Sequence, residues 1–255
     1  MAEALSGAPV QKHQFPIAYA ALALAFWVSV AVFVVLLMRP NHSRPVAWSS
    51  WRPAAQGLQG AHEIAMRIAS TYKGANGAQL VAVQEHPPEV QGEPLEAIGV
   101  RKLNQNGQMD PYIGLFPTRG TLIYAFCGLQ AQCSLQGDTT PAQQRALRRE
   151  ALELSLYSLK YLHGVDQVVS LVQSTRDGGM DAVFLRKPDL SSELRHPLRD
   201  TLPLRVPPPS NRPDRPEATA IDGLTLPNTF PAHFESLPDG DAILVLDVDN
   251  QATTN

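Results

Sequence analysis

A chain of 255 residues carries 21 basic and 24 acidic side chains, a net charge of −3, and two cysteines. Without clustered Lys/Arg this charge leaves no nucleic-acid footprint, and a lone cysteine pair with no CxxC spacing excludes a structural zinc site. The charge is unevenly spread: residues 39–212 hold 19 basic and 15 acidic groups, whereas 213–255 hold 1 and 8, the pattern of a solvated or covering acidic end.

Residues 1–14 form a short tail. From Phe15 to Met38 no residue is charged. As a helix this stretch is about 36 Å long, and the spacing predicts a transmembrane span over 15–38. A cleavable signal peptide would have a shorter apolar core and a small-residue cleavage site, which Arg39 to Pro45 does not offer. The flanking charges, Lys12 on one side and Arg39, Arg44 and Arg52 on the other, favour a cytoplasmic domain under the positive-inside rule. A short head and a long translocated domain favour the opposite, an uncleaved signal anchor with the domain outside the cytoplasm, and that single-pass arrangement at the cell membrane is the expectation taken. Ala21, Ala25 and Ser29 recur every four residues and form a candidate helix-association face, although alanine is abundant enough there to be filler.

Residues 39–60 read as a juxtamembrane stalk, with Trp48 and Trp51 either at a lipid boundary or stapling the linker to the folded domain. An α+β domain is expected over 61–196. Ile64, Ile68 and Tyr72 give Ala61 to Tyr72 helical periodicity, and Gln79 to Val83 reads as a strand. Asn106-Gly107 and Asp177-Gly178-Gly179 each separate two apolar runs and predict hairpins. Leu122 to Cys127 is a strongly apolar strand, and Cys127 with Cys133 is a candidate disulfide in an oxidising compartment. Thr140, Pro141 and Gln143 form a capping-box start for a long helix that Gly164 stops. Ten prolines between residues 197 and 238 predict an extended strap, after which Ala242 to Val248 returns as a strand within the terminal segment 239–255.

Chemistry is sparse. His62-Glu63 begins an H-E-x-x-H zinc helix, but Met66 stands where the second histidine must be, which leaves an exposed polar pair. Glu85-His86 in a Pro-bounded turn, His163 at a helix end, and Asp247 to Asn250 at the end of the last strand all read as solvated or capping groups. Asn41-His42-Ser43 matches a glycosylation sequon that matters only on a secretory route. Arg145, Arg148 and Arg149 cluster on one helix, where Glu153 pairing with Arg149 favours a solvated face over a phosphate or lipid-headgroup site. No nucleophile elbow, phosphate loop or dinucleotide fingerprint is present, and no catalytic residue, metal ligand or cofactor is assigned. The resulting expectation is a membrane-anchored α+β protein with an antiparallel sheet covered by helices and the Pro-rich strap. Its expected role is a non-catalytic interaction or accessory module. Its partners would be the lipid bilayer and another membrane or envelope protein, or further copies of itself, with no nucleic acid. The rivals are a membrane-tethered hydrolase assembled only by folding and an envelope ligand-binding domain.

Overall fold

The computed structural model describes residues 14–38, 47–74, 77–90, 93–101, 108, 110, 112–127, 140–173, 179–203, 216–237 and 241–248. The chain divides into two units, residues 1–46 and 47–255, each taken by itself.

In the first unit the uncharged stretch forms α1, Gln14–Met38. Pro16 lies in its first turn, where a missing N–H leaves no intrahelical bond unmade. Side chains are described for residues 19–35, and among the described residues no helix is long and apolar enough to cross a membrane. The expected transmembrane span over 15–38, with its single-pass, signal-anchor organisation, is corrected accordingly.

The second unit begins on its tryptophans. Trp48 stacks edge-on against Tyr157 and Tyr161, with ring centroids 5.4 and 5.5 Å away, and its Nε1 donates to the Glu193 carbonyl at 3.1 Å. Trp51 lies against Tyr157 and beneath the Arg67 guanidinium. Of the two readings of this pair, the staple is what the structure contains. Helix α2, Gly57–Ala69, follows, and its apolar stripe of Ala61, Ile64, Ala65 and Ile68 is buried. A Cβ on Gly60 would come within 2.5 Å of the Ala55 carbonyl oxygen and 2.7 Å of Leu162, so only glycine allows this approach without a shift of the neighbouring backbone.

Strands β1 (Ala82–His86), β2 (Glu89–Val90), β3 (Glu93–Val100), β4 (Gly114–Pro117) and β5 (Thr121–Cys127) come next. Helix α3, Pro141–Tyr161, starts at the expected capping box: Thr140 Oγ1 accepts from Gln143 N while the Gln143 side chain reaches back to Thr140 N. Gly164, at φ 77°, turns the chain out of the helix, a conformation glycine adopts without a Cβ clash. Strands β6 (Gln167–Gln173) and β7 (Met180–Arg186) form one expected hairpin, and β3 with β4 the other. Short α4 (Leu198–Thr201), α5 (Pro216–Thr225), β8 (Thr229–Ser236) and β9 (Ala242–Leu246) complete the chain.

The nine strands of the described residues join one sheet in the order β1-β5-β6-β7-β8-β9-β3-β2, with β4 also on β3. The sheet is mixed rather than antiparallel, which corrects the expected class: β5 and β6 run parallel, as do β3 and β9. A helical crossover through α3 supplies the long connection that parallel neighbours β5 and β6 require. The Pro-rich strap is corrected as well. Pro216 opens helix α5, and β8 is an interior strand despite Pro231. Proline is tolerated there because β8 changes partner near that point: Thr229 to Ala232 pair with β7, and Ala232 to Ser236 pair with β9.

Residues 118–120 alone join β4 to β5, although five strands lie between them in hydrogen-bond order. Laid flat, that order would separate them by roughly 29 Å, against about 14 Å that so short a link can span. The sheet therefore curls over on itself. Its inner face packs Ile123, Val169 and Phe184 against Ile98, Leu244 and Leu246, and Phe116 meets Phe184 at 5.4 Å between ring centroids. The outer face of β5, β6 and β7 carries Tyr124, Val168, Val183 and Leu185 beneath α2 and α3. Strand β5 is thus buried on both sides, which is why its residues show no polar alternation.

Candidate interaction surfaces and the buried ionic network

The three arginines of α3 do not form a solvated face. Arg149 is 3% exposed, and every arm of its guanidinium is engaged. Nη1 meets the Tyr72 hydroxyl at 2.5 Å and Glu153 at 3.2 Å, Nε donates to Glu217 at 2.6 Å, and Nη2 donates to the Pro203 carbonyl at 3.0 Å. Burial disfavours the Arg149 charge, but Tyr72, Glu153 and Glu217 outweigh that effect and hold its pKa above the ordinary value. Arg145, one turn before Arg149, and the adjacent Arg148 share the Asp222 carboxylate at 2.9 and 2.5 Å. Glu217 and Asp222 both belong to α5, so this network clamps α5 onto α3. Sequence spacing showed the Arg149–Glu153 pair, whereas the acids 68 and 74 or 77 residues away came into view only on folding.

Beside this network lies an uncompensated group. Glu150 is fully buried on the stripe that carries Leu147 and Leu154, and neither carboxyl oxygen has a hydrogen-bond partner. Burial, reinforced by the Glu153 charge, raises its pKa well above the ordinary carboxylate value. At pH values between the unfolded and the raised folded pKa, the folded protein holds a proton that the unfolded chain has released. Stability contributed at low pH is therefore lost as pH rises through that window, at about 1.4 kcal/mol per pH unit. Relative to the parent chain, Glu150→Gln is expected to gain stability steadily from pH 5 to pH 7. Calorimetric melts of the two chains at pH 5, 6 and 7 check this, and parallel curves would refute it.

Folding also joins residues that the sequence left apart. His62 Nδ1 meets Glu85 Oε1 at 2.9 Å across α2 and β1, with the His62 side chain 57% exposed. His233 lies between Glu235, 3.1 Å from Nε2, and Asp247, 3.2 Å from Nδ1. Arg101 approaches the second Asp247 oxygen at 3.2 Å, close enough to pair electrostatically although no aligned hydrogen bond forms. Among the described residues no group of three or more His, Cys, Asp or Glu could hold a metal ion. His163 caps in another way than its ring would suggest, its backbone N–H donating to the Gln56 side chain at 2.9 Å. Cys127 is buried at the end of β5 and has no free thiol, whereas Cys133 lies outside the described residues, as do Asn41 and Asn250.

Two surfaces remain open. On α1, Leu22, Leu24, Phe26, Trp27 and Phe33 are each more than half exposed, and the candidate face of Ala21, Ala25 and Ser29 is exposed beside them. The Ser29 hydroxyl donates to the Ala25 carbonyl at 2.9 Å and is satisfied within the helix. In the second unit, the outer side of β4 carries Leu115, 65% exposed, with Tyr112 and Ile113 just before it. Comparison with protein-family models, curated proteins and solved structures finds no match for this chain.

Proposed function

We propose that this protein is a non-catalytic interaction module that assembles with another protein chain through α1. The observation that supports this reading is the exposure of large apolar side chains on all sides of that helix. A helix apolar all round is a poor partner for water and gains stability only when another surface covers it. Each buried Leu or Phe contributes roughly 1.5–3 kcal/mol, so covering five such residues supplies ample driving force for association. Ala21, Ala25 and Ser29 provide the side of α1 along which another helix backbone can approach most closely.

Sedimentation velocity tests the proposal on the full chain and on a variant carrying Leu22→Lys, Phe26→Lys and Phe33→Lys. The parent chain is expected to sediment as an assembly and the triple variant as a monomer. A parent chain that is monomeric and binds only phosphatidylcholine vesicles would overturn protein assembly as the role of α1.

A further inference from the structure

Glu150 is fully buried in α3, and neither of its carboxyl oxygens has a hydrogen-bond partner. It shares a stripe of the helix with Leu154 and Tyr157, one and two turns further on, rather than with its neighbour Arg149. That stripe meets the end of α2. Trp51 packs on Tyr157 and carries the α2 residue Arg67 over its ring, while the Tyr72 hydroxyl donates to Glu153 at 2.7 Å. Burial first, then the charges of Glu153 and Glu150 against that of Arg149, hold the Tyr72 hydroxyl pKa above its ordinary value. Glu150 and the Tyr72 ring are thus electrostatic neighbours across the junction of α3 with the end of α2.

A charge on Glu150 has nothing to pair with. The arms of the Arg149 guanidinium are held by Tyr72, Glu153, Glu217 and the Pro203 carbonyl. Glu153, one turn on, is a like charge. Of the elements packed on α3, α2 brings Arg67, which is drawn over Trp51, and α5 brings Glu217, which is bound to Arg149. Strand β7 adds Asp181, another carboxylate, in register with Val172 on the face beneath α3, and β6 brings no charge to that face. An unpaired charge in a dry site is costly enough that the carboxyl either keeps its proton or the packing around it gives way.

The packing that can give way lies at the end of α2. Toward the sheet, α3 is fixed by a broad apolar face and by the bond between Ser158 Oγ and the Tyr124 hydroxyl at 2.8 Å. Beyond α2 the chain is held by less: Leu80 N donates to the Tyr72 carbonyl at 2.9 Å, and Gly74 N to the Ala78 carbonyl at 2.8 Å. Segments held by so few bonds open at lower free energy than core strands do. We infer that the seating of Tyr72 and the last turn of α2 on α3 is a proton-linked latch, closed while the Glu150 carboxyl is neutral and opened as its proton leaves. Because the proton is bound by the closed form, acid favours closure, and rising pH carries Ile68 and Tyr72 into water, where a partner can reach them. The inference does not rest on the reading of α1.

Amide hydrogen exchange on the full chain between pH 5 and pH 7.5 tests the latch. One linked proton changes an opening equilibrium by at most about tenfold per pH unit. Once the base catalysis common to all amides is divided out, opening at residues 66–73 is expected to rise at least thirtyfold across this range. Opening at residues 218–224 of α5, which does not uncover Glu150, is expected to change less than threefold. Glu150→Gln and Glu150→Leu, neither of which can ionise, should each abolish the rise at 66–73. No rise there, the same rise in both variants, or an equal rise at α5 would each overturn the inference. Exchange at 66–73 as slow as at residues 168–172 of β6 would do the same, because the end of α2 would then open only with the whole domain.

Discussion

A chain ending at Leu237 is expected to lose its cooperative thermal transition. The residues removed include β9, which lies between β8 and β3 and holds the curled half of the sheet together. Leu244 and Leu246 are fully buried on the inner face, and Val245 is 1% exposed on the other. At roughly 1.5–3 kcal/mol for each large buried apolar side chain, these three residues contribute on the order of 5–9 kcal/mol. That is comparable to the whole stability of an ordinary domain, about 5–15 kcal/mol. Loss of β9 also strands β3 and β4, which among the described residues keep ladders only with each other and with two-residue β2. Differential scanning calorimetry of the truncated and parent chains decides the matter. A truncated chain that melts at the parent temperature would show that β9 is dispensable and that the sheet order is incorrect.

Replacing Arg149 by methionine is expected to cost about 3–5 kcal/mol, the range for breaking a buried ion pair from one side. The methionine fills much of the arginine's volume, so the effect isolates charge and hydrogen bonding. Glu153 and Glu217 would be left facing each other without a cation, and the Tyr72 hydroxyl and Pro203 carbonyl would each lose a donor. These partners come from the segment after α2, from α3 itself, from α5 and from the segment after α4, so one side chain joins parts remote in sequence. Adding Glu153→Gln and Glu217→Gln to Arg149→Met should recover most of the loss, because it removes the uncompensated charges. Urea unfolding of the three chains checks both statements. A single variant within 1 kcal/mol of the parent on the scale of isolated surface ion pairs would mean that Arg149 is solvated after all.

How much could be read in advance depends on the range of the interaction. The start of α3 was legible because its cap is made within four residues, Thr140 to Gln143. Both hairpins were legible because a turn signal and two apolar runs suffice to pair adjacent strands. The return of the terminal strand to the sheet was legible from its apolarity, but its place was not. Parallel pairing of β9 with β3 joins residues about 145 apart, and nothing local encodes that partner.

Proline density misled for a related reason. Pro216 and Pro227 sit at the starts of helical turns, and Pro231 sits where β8 changes neighbours, so none interrupts an element at a point that needs its N–H. The arginines of α3 misled because their acids arrive from α5, far along the chain. The uncharged stretch at the amino end determined a helix directly, since apolar residues without glycine or internal proline propagate one. By itself, then, the sequence determined helix caps, hairpin turns and the apolarity of α1, all properties of neighbours along the chain. Only the tertiary structure decided the curl of the sheet and the burial of Arg149 and Glu150, because each depends on which distant segments exclude water from one another.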